Sequence, residues 1–353
     1  MDLPGDIETP ALIVDSRRLE RNIATMAAAA AAAGVALRPH AKTHKCPRIG
    51  RMQLAHGAAG LTVATIGEAE LFAEAGCASL FIAYPVWAGA GRRQRIAALH
   101  ERTDLRVGVD SIRAAEELAK AARGLRVLIE VDSGQHRTGV PAHEAADLAV
   151  SCLRLGLEVT GAFTHPGHAY TSPDAAAGAA ADERASLAEA GEALRPVTGR
   201  EPELSGGSTP TACAGVTAPL TEVRPGTYAF FDRQQMRLSR VTPADVALTV
   251  AARVVSVPRP NEAVLDCGSK TLSSDRPAWL DGHGLLLDAP EAAIAVLSEE
   301  HAVVTGLRTP LAVGDLVGVI PNHVCTVVNL ARELVIVDGG AVTDRWPTGT
   351  PRP

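Results

Sequence analysis

Aromatic residues make up only 3% of this chain of 353 residues, so small aliphatic side chains are expected to fill its core. Tyrosine is limited to Tyr84, Tyr170 and Tyr228, with none beyond residue 240. The six cysteines, Cys46, Cys77, Cys152, Cys213, Cys267 and Cys325, form no C-x-x-C pair. A chain this long needs no disulfide stapling, so reduced thiols in a cytoplasmic setting are expected. No apolar run reaches the ~18 residues of a membrane span. The opening Met1-Asp2-Leu3-Pro4-Gly5-Asp6 is acidic and lacks the apolar centre of a signal peptide. There is no long basic run either, and a net charge of -6 argues against a nucleic-acid partner.

What is present reads as an α/β protein. Hydrophobic residues at 46% and charged residues at 21% suit a soluble chain with a large core. Short apolar runs at 35–38, 61–65, 80–83, 105–109, 126–131, 157–163, 203–205 and 221–224 alternate with helical stretches. Eight such units predict a (β/α)8 TIM-type barrel over residues 1–240, with an open doubly wound sheet as the alternative. Ser16 is expected to cap the first helix. Beyond residue 240 helical periodicity fades, and β runs at 247–257, 263–266, 293–297, 302–304, 316–320, 326–329 and 333–337 predict a β-rich domain over 241–353. The strand at 9–15 fits either domain.

Unusual residues gather at the tips of the predicted barrel strands, the end where such barrels build active sites. Arg38-Pro39-His40-Ala41-Lys42-Thr43-His44-Lys45 crowds Lys42 with cationic and imidazole groups. Crowding favours a neutral, nucleophilic amine of the kind that forms Schiff bases. Lys45 is the alternative carrier, and an ordinary surface lysine the plainer reading. Ser205-Gly206-Gly207-Ser208-Thr209 offers backbone amides and hydroxyls to an anion, with Gly226 suited to the same task; a simple turn is the competing reading. Thr164-His165-Pro166-Gly167-His168-Ala169-Tyr170 packs two imidazoles and a phenol together. There His165 suits stacking on a planar ring, His168 suits proton transfer, and Tyr170 is a further catalytic candidate. His323 and Cys325, two residues apart, share one face if the segment is a strand, and imidazole with thiolate suits zinc. His301 is a weaker third ligand, and a buried cysteine beside a polar histidine is the plain alternative.

These motifs, with Thr9-Pro10-Ala11 and Arg224-Pro225-Gly226-Thr227-Tyr228, resemble the fold-type III pyridoxal-phosphate enzymes, specifically the D-threonine aldolase and D-serine dehydratase group. The resemblance spans most of the chain. It implies pyridoxal 5'-phosphate (PLP) carried by Lys42 and a phosphate cup drawn from Ser205, Gly206, Gly207, Ser208, Gly226 and Tyr228. It also implies Arg137 near the cofactor phenolate, His165 at the pyridine face and Arg224 toward the pyridine nitrogen. His323 and Cys325 would bind a divalent metal, zinc or manganese, beside the hydroxyl of a small D-amino-acid substrate. Head-to-tail homodimers are the expected assembly. Retro-aldol cleavage with His168 as base is the first expectation, and dehydration the second, since aldolases of the group often show His-x-Asp where this chain has His-x-Cys. A racemase of the alanine type is disfavoured by the missing tyrosine beyond residue 240. A non-catalytic PLP-binding protein is disfavoured by the β-rich domain.

Overall fold

Apolar runs rich in Val, Ile and Leu become strands, and the Ala-rich stretches between them become helices. The computed structural model describes residues 3–349. In chain order, β1 (Ala11–Asp15) leads into α1 (Ser16–Ala32), β2 (Ala36–Leu37), α2 (Pro47–Ala55), β3 (Leu61–Val63), α3 (Ile66–Glu74) and β4 (Ser79–Pro85). Then come α4 (Ala90–Arg102), β5 (Asp104–Val109), α5 (Ile112–Ala119), β6 (Arg126–Glu130), α6 (Ala145–Arg154), β7 (Glu158–Phe163), α7 (Ala175–Thr198), β8 (Glu203–Gly206), α8 (Thr209–Ala214) and β9 (Glu222–Val223). Two units separate by contact: one holds residues 25–42 and 47–226, the other the chain up to Ala24, Thr43–Cys46 and the stretch from Thr227.

In the first unit, β2 to β9 form one parallel sheet of eight strands in the order β2-β9-β8-β7-β6-β5-β4-β3. Its two ends meet where His40 bridges Thr62 in parallel and the Thr62 amide donates to the Pro39 carbonyl at 2.8 Å. The sheet therefore closes as a barrel, and the open alternative is set aside. Local signals start the helices. The Thr65 hydroxyl accepts from the Glu68 amide at 3.1 Å, and Ser111 caps α5 in the same way. Ser16 does not cap α1, contrary to expectation. Asp15 takes that role, accepting from the Arg18 amide at 3.0 Å, because a carboxylate one position earlier reaches the free amides better.

The barrel interior departs from the aliphatic filling that the scarcity of aromatics suggests. Arg106 on β5 pairs with Glu203 on β8 and with Glu222 on β9 (2.9 Å), contacts that cross the interior. Arg38, at the tip of β2, meets Glu222 at 2.6 Å. Two arginines hold the Glu222 carboxyl down to about 2 although burial alone would raise it. Above this ionic layer, Phe81 and Phe163 meet edge to face with centroids 5.0 Å apart and Leu128 beside them. Two glycines make room. A Cβ on Gly161 would lie 1.9 Å from the Glu203 carbonyl, and one on Gly108 would lie 2.6 Å from the Phe163 ring.

The second unit adds α9 (Arg233–Leu238), β10 (Leu248–Ser256), β11 (Glu262–Leu265), α10 (Ser269–Leu272), β12 (Gly284–Leu286), β13 (Ala293–Leu297), β14 (Ala302–Thr305), β15 (Leu316–Pro321), α11 (Val324–Leu330), β16 (Glu333–Asp338) and β17 (Ala341–Pro347). The sheet path is β13-β14-β11-β10-β1-β16-β17, with β15 pairing both β10 and β12. β1 belongs to this sheet, antiparallel to β10 and parallel to β16, with Ile13 opposite Thr249 and Val335. The expected strand at 326–329 is instead part of α11. Its β-branched run mimics a strand, but the buried positions Val324, Val327 and Val328 follow the helical period.

Candidate active site

Chain geometry lifts Lys42 off the barrel rim. After β2 the backbone stays pinned to β9, with the Arg38 amide donating to Val223 and the His40 amide to Pro225, each at 2.9 Å. A 3₁₀ turn, Ala41–Thr43, then turns the chain and leaves Lys42 half-buried. Lys45, the alternative carrier, lies in the other unit with a left-handed backbone (φ 46°) and its ammonium donating to the Asn329 side chain.

Positive charge converges on His165 at the tip of β7. Burial holds its imidazole well below the ordinary value, and Lys42, Arg137, Arg224 and His168 add to the effect in that order. Five sequence-predicted residues therefore share one electrostatic neighbourhood. Arg137 rides on the loop after β6, which Asp132 braces by accepting from the amides of Gly134 (2.9 Å) and His136 (3.0 Å) and by meeting the His136 ring at 2.7 Å. The Tyr170 ring stands 6.5 Å from that of His165. The His168 ring lies against Gly134, pairs its Nε2 with Asp182 at 3.2 Å, and keeps Nδ1 buried without a partner.

Arg224 anchors the floor. Its guanidinium donates to the Ser205 hydroxyl and to the Thr164 carbonyl, both at 2.5 Å, and lies over Phe163 at 5.3 Å. Burial brings it down to about 10, opposed by Glu222, Glu183 and Glu130. Ser205, expected in the phosphate cup, is committed inward: its hydroxyl also donates to Glu222 at 2.6 Å. Gly207 takes the positive φ that glycine permits (+89°), and its amide donates to the Glu183 carboxylate. A Cβ on Gly206 would meet that same carboxylate at 2.4 Å. Ser208 caps α8 in a reciprocal box with Thr211, while the buried Thr209 hydroxyl meets no partner. Gly226 is half-buried, and Tyr228, in the second unit, is fully buried on the turn Thr227–Ala229.

His323 and Cys325 do not lie on a strand. His323 is the N-cap of α11 and Cys325 falls in its first turn, so the shared face of a strand is replaced by a helix start. Even so, the side chains interact. Burial would lower the His323 imidazole, but Cys325 and Asp232 together hold it well above the ordinary value. The Cys325 thiol also meets the Thr43 hydroxyl at 3.2 Å. Among the described residues no cluster of three or more His, Cys, Asp or Glu forms a metal cage, and His301 does not join the pair. Imidazole and thiolate are donor types that suit zinc.

The arrangement at the barrel tips fits an anionic, planar cofactor. Cations converge there, a buried hydroxyl lacks a partner, and a half-buried lysine stands at the rim. Comparison with known proteins shows the family. Residues 14–234 match the family model described as alanine racemase, N-terminal domain, and residues 247–337 match the putative serine dehydratase domain. The chain belongs to the fold-type III PLP enzymes. It is 34% identical to D-threo-3-hydroxyaspartate dehydratase from Delftia sp., over 90% of this chain and 91% of the relative. It is 31% identical to D-threonine aldolase from Arthrobacter sp., over 97% and 93%. Among solved structures, a cysteine-to-alanine variant of D-threo-3-hydroxyaspartate dehydratase in the metal-free form superposes with a TM-score of 0.91 at 31% identity, covering 99% of each chain. This fold-type III chain is thus an enzyme of the PLP-dependent lyase family.

Sequence reasoning missed the carboxylates near the barrel tips, Glu130, Asp182 and Glu183, and, in the second unit, Asp232 beside His323. Glu183 carried a signal. It continues the buried helical stripe Ala176, Ala179, Ala180, Leu187 and Ala190 of α7, where a charge has no reason to be unless it meets a partner.

Proposed function

We propose that this chain is a lyase acting on D-3-hydroxy amino acids and that it dehydrates them to a 2-oxo acid and ammonia. The observation that carries the lyase reading is the gathering of Lys42, Arg137, Arg224 and His168 around the buried His165, whose imidazole burial and then these charges hold well below its ordinary value. When bound, PLP supplies an electron sink for bond breaking at Cα, and a divalent metal supplies a Lewis acid for the 3-hydroxyl. Lys42 would carry the cofactor and would be the amine placed to take up the Cα proton of the substrate. Gly207, Ser208, Thr209 and Gly226 would hold the phosphate, chiefly through the unpartnered Thr209 hydroxyl, since the Gly207 amide is already donated to Glu183. Arg224, donating to Ser205, would be the group toward the pyridine nitrogen. His165, held well below its ordinary value, would lie at the pyridine face, and Arg137 would lie near the phenolate.

Dehydration takes first place because His323 has a cysteine partner rather than an aspartate. A metal held by imidazole and thiolate would make the 3-hydroxyl either a better leaving group or a better acid, so the preference rests on the His-x-Cys pair standing where aldolases of the group often show His-x-Asp. One observation favours retro-aldol cleavage to glycine and an aldehyde instead. Asp182 orients one nitrogen of His168 and leaves the other unpartnered, the geometry of a base for the 3-hydroxyl proton, with Tyr170 close by. Incubation with D-threonine separates the two. 2-Oxobutanoate with ammonia is expected, and acetaldehyde with glycine overturns dehydration in favour of the aldolase reading. Slow interconversion of D- and L-threonine without either product set overturns both.

A further inference from the structure

Asp232 is fully buried, and its two carboxylate oxygens serve two helices. Oδ1 accepts from the Gln235 amide at 2.8 Å and so caps α9. Oδ2 accepts from the Val324 amide at 3.0 Å, at the start of α11. His323, the N-cap residue of α11, makes no capping bond with its own side chain, so Asp232 supplies that cap from a distant part of the chain. The same Oδ2 stands 3.3 Å from Nδ1 of His323. That nitrogen is buried and makes no aligned hydrogen bond, which leaves the carboxylate as its ion-pairing neighbour. Cys325 interacts with the same ring.

We propose that Asp232 is the positioning residue of the His323–Cys325 metal pair, holding the proton on Nδ1 so that Nε2 presents its lone pair to the cation. The inference rests on the reading that this pair binds a divalent metal. The physical reason is general. A ligating imidazole has two nitrogens, and a carboxylate on the far one fixes the tautomer, fixes the ring plane and makes the near one a stronger donor. A buried carboxylate already anchored by two backbone amides cannot swing away, so the ring inherits its rigidity.

The test uses the full-length protein, stripped with chelator and titrated with Co(II), whose thiolate charge-transfer band reports Cys325. Wild type is expected to develop the band, and D232N to need ~10–100-fold more cobalt for half-saturation. Circular dichroism, the melting temperature and the His323 ring nitrogens by NMR are read on the same samples, because loss of the α11 cap alone could weaken cobalt binding but would leave the proton of His323 on Nδ1. If D232N does not fold, D232S retains a hydroxyl cap for α9 but is too short to reach His323, and the same weakening is expected. A D232N titration within about twofold of wild type overturns the proposal. Absence of the band in wild type overturns the metal reading itself, a distinct result.

Discussion

Lys42 lies close enough to His165 that its charge adds to burial in keeping the imidazole unprotonated. Removing that charge in Lys42→Ala, or the next contributor in Arg137→Ala, is expected to raise the His165 value toward the ordinary 6.5, as read by NMR of the imidazole nitrogens. The sign of the linkage follows. The unfolded chain takes up a proton at His165 that the folded chain refuses, so this residue's contribution to stability is lost as pH falls below the unfolded value. An unmoved imidazole in both variants contradicts the shared neighbourhood.

Glu222 should dominate acid stability of the barrel. Its carboxyl sits near 2 in the folded chain against an ordinary 4.5. Its contribution, about 3 kcal/mol by linkage, is complete above pH ~4.5 and lost as pH falls through ~2. Glu222→Gln leaves Arg38 and Arg106 facing an uncharged amide in a dry interior and is expected to cost about 3–5 kcal/mol in denaturant unfolding. A cost below about 1 kcal/mol would show that the two arginines find other partners.

Glu183 braces the glycine turn from beneath. Its carboxyl is pushed up to about 7, first by burial, against the Gly207 amide and Arg224. Glu183→Gln keeps an acceptor for Gly207 and should retain the cofactor, with its affinity no longer varying around neutral pH through this group. Glu183→Ala strands the amide, a loss of about 1–3 kcal/mol, and should release PLP more readily in an equilibrium titration of the apo-protein. Equal affinities in the two variants contradict the bracing role.

Chelation tests the late pair. Removal of metal should abolish lyase activity and leave the visible PLP spectrum in place, since no step at Lys42 itself requires the cation. Zinc should restore activity to wild type and not to His323→Ala. Full activity after exhaustive chelation contradicts a metal role for His323 and Cys325.

The parallel strands were legible because each is a short apolar run followed by a helical period; their number favoured a barrel over an open sheet, and the His40–Thr62 bridge closes it. The tips were legible because Lys42, His165 and the Gly206-Gly207 pair are chemically conspicuous beside such runs. The barrel's ionic interior was not. Arg38, Arg106, Glu203 and Glu222 look like solvent residues until the closed sheet brings β5 across to β8 and β9. The helix at Val324–Leu330 was hidden for a related reason. Its cap comes from Asp232, 92 residues away, and no local signal announces it. Asp182 and Glu183 were passed over because acidic residues on a long helix ordinarily face water.

The central claim is that Lys42 carries the cofactor. The direct measurement is the visible spectrum of purified wild type, Lys42→Ala and Lys45→Ala, each reconstituted with PLP and then desalted. A lysine-bound cofactor absorbs near ~420 nm. The band should persist in wild type and Lys45→Ala and disappear in Lys42→Ala. A band retained in Lys42→Ala and lost in Lys45→Ala contradicts the account.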